Sequence, residues 1–303
     1  MSQQKILLPA DRLWSEVKTA RAKALECGAL KPIVTECKIV EQDGIPFIVR
    51  IVSNLDRKEQ AKQQQKEKTF LTGKEFNPFL PYDRDLFVAD ISDTHLCLLN
   101  KYNVVDHHLL IVTRAFEEQE NLLNLSDFTA LWAVLAQIDG LAFYNAGKIA
   151  GASVRHKHLQ LVPRPLAGDR VNIPIESVLE KVVLTNSIGN IPQFHFLHAF
   201  SRLNIEPKAS LFEAASITLD RYQNMLAAVG LSESEENKQS GAYNLLVTRE
   251  WMLLVPRAAE SYRSISINSL GFAGALLFRN AEQLESIEDC SLTDIIKNVA
   301  LRI

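Results

Sequence analysis

The chain has 303 residues, 47% of them hydrophobic and 23% charged, which is enough apolar material for two domains or for one large domain of two similar halves. Its 33 basic and 36 acidic side chains leave a net charge of -3, so no general basic field marks it as a nucleic-acid-binding protein. Four scattered cysteines (Cys27, Cys37, Cys97, Cys290) form no C-x-x-C pair and read as reduced, mostly buried thiols, and no apolar run nears the roughly 18–20 residues that span a bilayer.

The patch in Met1–Pro9 is too short for a signal-peptide core, so a cytoplasmic protein without a membrane segment or structural metal is expected. From Asp11 to Cys27, Leu13, Val17, Ala20, Ala24 and Leu25 recur at helical spacing, with Asp11 as N-cap and Gly28 as stop. Phe47 to Val52 reads as a strand. The polar run Arg57–Lys68 reads as a solvated segment, with Lys58 as the residue best placed to close over polyphosphate. Leu96–Leu99 and Leu109–Val112 read as two antiparallel strands joined by a polar loop that His107 and His108 shape. Ser126 and Asp127 are placed to cap a helix with the stripe Phe128, Leu131, Trp132, Leu135, Ile138, Ala142.

After the Gly-containing loop Asn145–Ser153, a strand is expected from about Arg155 to Val162, ended by Pro163 and Pro165. The second half echoes this order: a helix over 212–228, strands Tyr243–Val247 and Met252–Val255 about the turn Thr248–Glu250, and a helix from Ser269 with Leu270, Ala273, Leu277 and Ala281 inward. Trp132 and Trp251 read as core, and His195 and His198 as structural. The expected fold is α+β: an antiparallel sheet with helices, in two similar pseudo-twofold halves of one chain. The half 1–165 would carry the reactive strand, and 166–303 would complete the site.

The strongest signal is Gly151-Ala-Ser-Val-Arg-His156-Lys157-His158-Leu159-Gln160-Leu161. Residues two apart share a face of a strand, so His156, His158 and Gln160 line one side while Leu159 and Leu161 enter the core. Polar side chains buried in a row each demand a partner. A structural row, a metal site and a nucleophilic site all fit that face. Metal binding lacks a nearby Cys, Asp or Glu. Nucleophilic attack at phosphorus suits a neutral imidazole, with an unperturbed pKa of about 6.5, if one ring nitrogen keeps its proton in a hydrogen bond. His156 and Gln160 would then hold phosphoryl oxygens, and the N–H groups of Gly151, Ala152 and Ser153 would approach the phosphate.

At these residues the sequence resembles the histidine-triad superfamily. The glutamine at 160 matches its transferase branch, which includes galactose-1-phosphate uridylyltransferases and the diadenosine tetraphosphate phosphorylases (ATP adenylyltransferases). The second group is more similar, through Asn77-Pro-Phe-Leu-Pro81, Leu99-Asn-Lys-Tyr-Asn-Val104, His108-Leu-Leu-Ile-Val-Thr113, Phe143-Tyr-Asn145, Tyr243-Asn-Leu-Leu-Val-Thr248, Glu250-Trp-Met252, Val255-Pro-Arg257 and Leu270-Gly-Phe-Ala-Gly274. Val154-Arg155 and Lys148-Ile149 depart from the family pattern.

The resemblance implies a histidine-triad-like sheet and the reaction ADP + ATP ⇌ diadenosine tetraphosphate + phosphate. His158 would be the nucleophile, with His156 and Gln160 beside it. Asn145, Gly151, Ala152, Ser153, Gln160, Asn100, Lys101, Asn244, Arg249 and Arg257 would contact substrate. It implies no tightly bound cofactor, magnesium at most accompanying the polyphosphate, small nucleotides as partners, and a monomer or small homo-oligomer. A uridylyltransferase, a dinucleoside polyphosphate hydrolase and a silent nucleotide sensor are the competing expectations.

Overall fold

Several strands carry buried residues at every position, among them Leu109–Thr113, Gly140–Ala146 and Trp251–Pro256. A strand buried on both faces needs a packed layer on each side. The structure, a computed structural model describing residues 4–53, 76–168, 171–231, 237–287 and 290–303, supplies both layers. Lys58 lies outside the described residues.

The strands in chain order are β1 (Thr35–Gln42), β2 (Ile45–Val52), β3 (Phe87–Asp90), β4 (His95–Leu99), β5 (Leu109–Thr113), β6 (Gly140–Ala146), β7 (His158–Pro163), β8 (Leu184–Thr185), β9 (Ile188–Gly189), β10 (Ala199–Arg202), β11 (Tyr243–Val247), β12 (Trp251–Pro256), β13 (Ser261–Tyr262), β14 (Ile265–Ser266) and β15 (Ala275–Phe278). Among the described residues, the helices longer than three residues are α1 (Leu13–Glu26), α2 (Leu125–Leu135), α3 (Glu176–Leu179), α4 (Leu211–Ala228), α5 (Ser269–Phe272), α6 (Ala281–Glu285) and α7 (Leu292–Val299).

Ten strands form one antiparallel sheet in the order β3-β4-β5-β7-β6-β11-β12-β10-β9-β8. Taken inward from its two edges, the sheet repeats itself. Three strands, a helix and two strands (β3-β4-β5-α2-β6-β7) are matched by β8-β9-β10-α4-β11-β12, and the two sets meet where β6 pairs with β11. This is a pseudo-twofold α+β architecture, with Asn145 paired to Asn244 in the central row. Residues 1–165 and 166–303 share the sheet without a break.

Helices α1, α2 and α4 cover one face, over Ile111, Tyr144, Leu159, Leu161 and Leu245. Trp132 of α2 donates to Thr218 Oγ1 of α4 at 2.7 Å, locking the two equivalent helices together. The other face carries two clusters. Leu141, Phe143, Val162, Leu246 and Leu253 pack beneath β2, β15 and α7, while Phe79 caps Leu96, Leu98, Leu110 and Val112. His158 is paired with Val112, and Gln160 with Leu110 on one side and Phe143 on the other. The reactive face therefore lies at the seam between the clusters.

Several local expectations are corrected. Asp11 adopts positive φ and does not cap α1; Gln137 Oε1 accepts from the N–H groups of Arg12 and Leu13 instead. The cap of α2 is Asn124, with Asp127 returning a bond to its backbone. Residue 142 lies in β6, not in the helix. The helix from Ser269 stops at Phe272, because Gly274 takes φ +89° and turns the chain into β15. Cys97 is buried, but Cys27 and Cys37 are exposed.

Candidate active site

His158 opens β7 with its ring buried, and its Nδ1 lies 2.8 Å from the carbonyl oxygen of His156. A carbonyl only accepts, so Nδ1 carries the proton and Nε2 keeps its lone pair. Gln119 straps the backbone in place: its Oε1 accepts from His158 N at 2.9 Å, and its Nε2 donates to the carbonyls of Asn145 and His158. The ring edge of Phe79 packs against His158, with centroids 5.3 Å apart. Burial pushes the His158 pKa down to about 4, so the imidazole is free base throughout the neutral range.

His156 departs from its expected role. Its Nε2 lies 2.8 Å and 3.1 Å from the carbonyls of Thr113 and Ala115, so Nε2–H donates there. Its Nδ1 accepts from Asn77 Nδ2 at 3.0 Å. Both nitrogens are spent on the protein, so His156 orients His158 through its carbonyl and leaves phosphoryl oxygens to others. Burial lowers its pKa as well.

Gln160 is partly exposed, and its Oε1 lies 2.9 Å from Nε2 of buried His108. Asn100 Nδ2 meets His108 Nδ1 at 3.2 Å, so the Asn100 side chain faces this histidine. The expectation that His108 merely shapes the hairpin loop is corrected. His107 does belong to the loop, its ring tilted against Trp14 with centroids 4.8 Å apart.

The other layer of the site is the loop after β6. Gly147 and Gly151, at φ +86° and +91°, bracket a single 3-10 turn. Gly151 N–H closes on Lys148 O and Ala152 N–H on Gly147 O, so both donors expected in a phosphate cradle are spent within the turn. A Cβ at Gly151 would meet Ile267 O at 3.0 Å, so the turn is pressed against the second half.

Asn145, Asn244, Ser269 and Arg257 form a buried knot that pins this turn. Asn145 Oδ1 accepts from Asn244 Nδ2 at 2.8 Å, Ser269 N at 3.0 Å and Ser269 Oγ at 2.7 Å. Asn244 Nδ2 also donates to Ala150 O. Arg257 gives its Nη1 to Asn244 Oδ1 and Ile267 O, its Nη2 to Ala259 O and its Nε to Val299 O. A guanidinium so enclosed has no fork left for a phosphate. Asn244 and Arg257 were expected to touch substrate; they hold the loop instead, and burial takes the Arg257 pKa down to about 10.

Arg249 is a further correction. Its Nε donates to Leu135 O at 2.7 Å and its Nη2 to Ala136 O at 3.2 Å, capping the C-terminus of α2 beyond the end of β11 away from the Asn145–Asn244 row. Lys101 forms a half-exposed ion pair with Asp83 at 3.5 Å.

Comparisons with known proteins place the chain in a family. Residues 3–181 match the family model described as Ap4A phosphorylase N-terminal domain, and 189–302 match the ATP adenylyltransferase C-terminal domain. The chain belongs to the Ap4A phosphorylase family. It is 29% identical to diadenosine 5',5'''-P1,P4-tetraphosphate phosphorylase 2 of Saccharomyces cerevisiae, across 72% of this chain and 74% of that one. It is 26% identical to Protein APA1 of the same yeast, across 93% and 91% of the two chains. The crystal structure of yeast Ap4A phosphorylase Apa2 superposes with a TM-score of 0.77 at 22% identity, over 97% of this chain and 99% of that one, and shares the fold.

Within this family framework, Lys157 shows how the strand between the histidines is anchored. Its Nζ, wholly buried on the helix face, donates to Asp127 Oδ2 at 2.7 Å and to Leu122 O at 3.0 Å. Burial alone would raise the Asp127 pKa, but Lys157 and His95 outweigh it and hold the carboxyl below its usual range. Sequence reasoning missed Asn77, Phe79, Gln119 and Ser269 as site residues. For Asn77 and Phe79 a signal existed, since they sit in the matched Asn77–Pro81 stretch. Gln119 and Ser269 reach the site from distant positions in the chain and leave no sequence pattern. Among the described residues no helix is long and apolar enough to cross a membrane, and no three His, Cys, Asp or Glu side chains converge as a metal site.

Proposed function

We propose that this chain phosphorolyses diadenosine tetraphosphate to ADP and ATP, reversibly, through an adenylyl group on His158. The observation that carries the reading is the His158 tautomer: Nδ1–H is held on His156 O, and Nε2 faces the seam as a lone pair that needs no separate base. Nε2 attacks the phosphorus next to one adenosine, the bond to the bridging oxygen breaks, and ATP leaves with that electron pair. An oxygen of inorganic phosphate then attacks the same phosphorus, the P–N bond breaks, and ADP departs as the imidazole regains its lone pair.

Gln160 supplies N–H donors to the transferred phosphoryl group but has no proton to exchange, so water is not activated as the acceptor. Magnesium would accompany the polyphosphate as part of the substrate. Lys101 and the N–H of Ser153 are the phosphate contacts we favour, and Lys58 is a third. The exposed thiols of Cys27 and Cys37 fit a reducing, cytoplasmic setting.

Product analysis with diadenosine tetraphosphate, with and without phosphate, tests the reading. ADP and ATP in equal amounts, formed only when phosphate is present, are expected. AMP formed equally well without phosphate would place the chain among hydrolases.

A further inference from the structure

Gln160 presents a problem that its own shape cannot solve. The two ends of a side-chain amide are nearly the same size, yet one donates and the other accepts. Against an anionic phosphoryl group only the NH2 end is useful, and the oxygen end would repel it. Packing cannot choose between them; a hydrogen-bond partner must.

We infer that Tyr102 N–H, Asn100 and His108 form a polarity relay that fixes which end of Gln160 faces the substrate, making His108 a positioning residue of the proposed transferase site. Every direction in the relay follows from its first member. The backbone N–H of Tyr102 can only donate, and it lies 3.3 Å from Asn100 Oδ1. Asn100 therefore turns Nδ2 toward His108, where it donates to Nδ1 at 3.2 Å. His108 then carries its proton on Nε2, which donates to Gln160 Oε1 at 2.9 Å. The Gln160 NH2 is left for the site.

Burial reinforces the arrangement. His108 is enclosed between the hairpin and Phe143, with ring centroids 5.7 Å apart, and it stays neutral. A protonated ring would point a second N–H at the Asn100 NH2 and oppose the relay. His158 and His108 thus hold opposite tautomers: Nδ1–H in His158, with its lone pair offered to phosphorus, and Nε2–H in His108, with its lone pair offered to Asn100. The inference rests on the proposed function only for what Gln160 faces.

Two measurements test it. In the full chain labelled with 15N-histidine, the nitrogen shifts at neutral pH should show a protonated Nε2 in His108 and a protonated Nδ1 in His158. A protonated Nδ1 in His108 would overturn the relay, and no substrate is involved. The second is a double-mutant cycle on phosphorolysis. His108→Phe should lower kcat/KM about ten-fold or more in the wild-type background and less than about two-fold in a Gln160→Ala background, because its effect passes through the amide. Equal losses in both backgrounds, or no loss in either, would reduce His108 to packing. A chain with the expected tautomers and no phosphorolysis would sink the functional reading and leave the relay standing.

Discussion

β7 and β12 occupy equivalent places in the two halves of the sheet, yet they carry opposite kinds of residue. β7 places His158 and Gln160 on its open face, while β12 at the matching place offers Leu253 and Val255 to the core. One frame thus holds one reactive strand, and the second half contributes scaffolding: Asn244, Arg257 and Ser269 bond to one another, to Asn145 and to the backbone around the Gly147–Gly151 turn. Duplication of a fold does not duplicate its chemistry. The second copy is free to specialise in holding the first.

The comparison can be broken most directly at His158. His158→Ala should lower turnover by several orders of magnitude and abolish α-phosphate labelling of the protein from ATP, while leaving the melting temperature close to that of the parent. Labelling that survives would move the nucleophile elsewhere.

Arg257→Leu tests the scaffolding role. It strands the carbonyls of Ile267, Val299 and Ala259 and loosens the Gly147–Gly151 turn, so denaturant unfolding should register a loss on the order of 3 kcal/mol. Activity should fall together with stability. An active, fully stable variant would contradict the assignment.

Acid provides a third test. His158 and His108 are held at about 4, against about 6.5 in an unfolded chain, so the unfolded state binds protons first as pH falls. Stability is complete above about pH 6.5 and is lost progressively toward pH 4, each histidine contributing on the order of 3 kcal/mol. Turnover should run level from neutral pH down to about 5.5, since the nucleophile is already free base there. A rate that titrates near 6.5 would mean that His158 is solvated rather than buried.

The smallest effect is expected at Arg249. Arg249→Ala removes a helix cap and should reduce stability by about 1 kcal/mol, with kcat/KM unchanged within about two-fold. A large kinetic loss would return this arginine to the substrate.

Much of this arrangement was legible in the residues. The alternation in His158–Leu161 assigned faces correctly, although the strand begins at His158 rather than near Arg155, and the strands around Leu96 and Leu109 fell where their apolar runs placed them. β6 was not legible, because Leu135, Ile138 and Ala142 happen to prolong the spacing of α2, and a strand buried on both faces shows no alternation. β15 was read as helix for the same reason, until Gly274 intervened. Arginines misled most. A guanidinium suits a phosphate or a cage of carbonyl oxygens equally well, and only the fold tells which surrounds Arg249 and Arg257. The importance of His108 depends on strand register, since Leu110 must lie opposite Gln160 before His108 can reach its amide.

The five-residue pairing of β6 with β11 has a consequence for any attempt to divide the molecule. Cutting the chain between the two matched regions would expose the β6 edge from Ala142 to Ala146, a flat row of unpaired amides on an apolar strand. Such an edge is adhesive. An isolated first half would carry an intact His158 and a bare seam beside it, and it would seek another strand, its own duplicate included, before it could stay in solution.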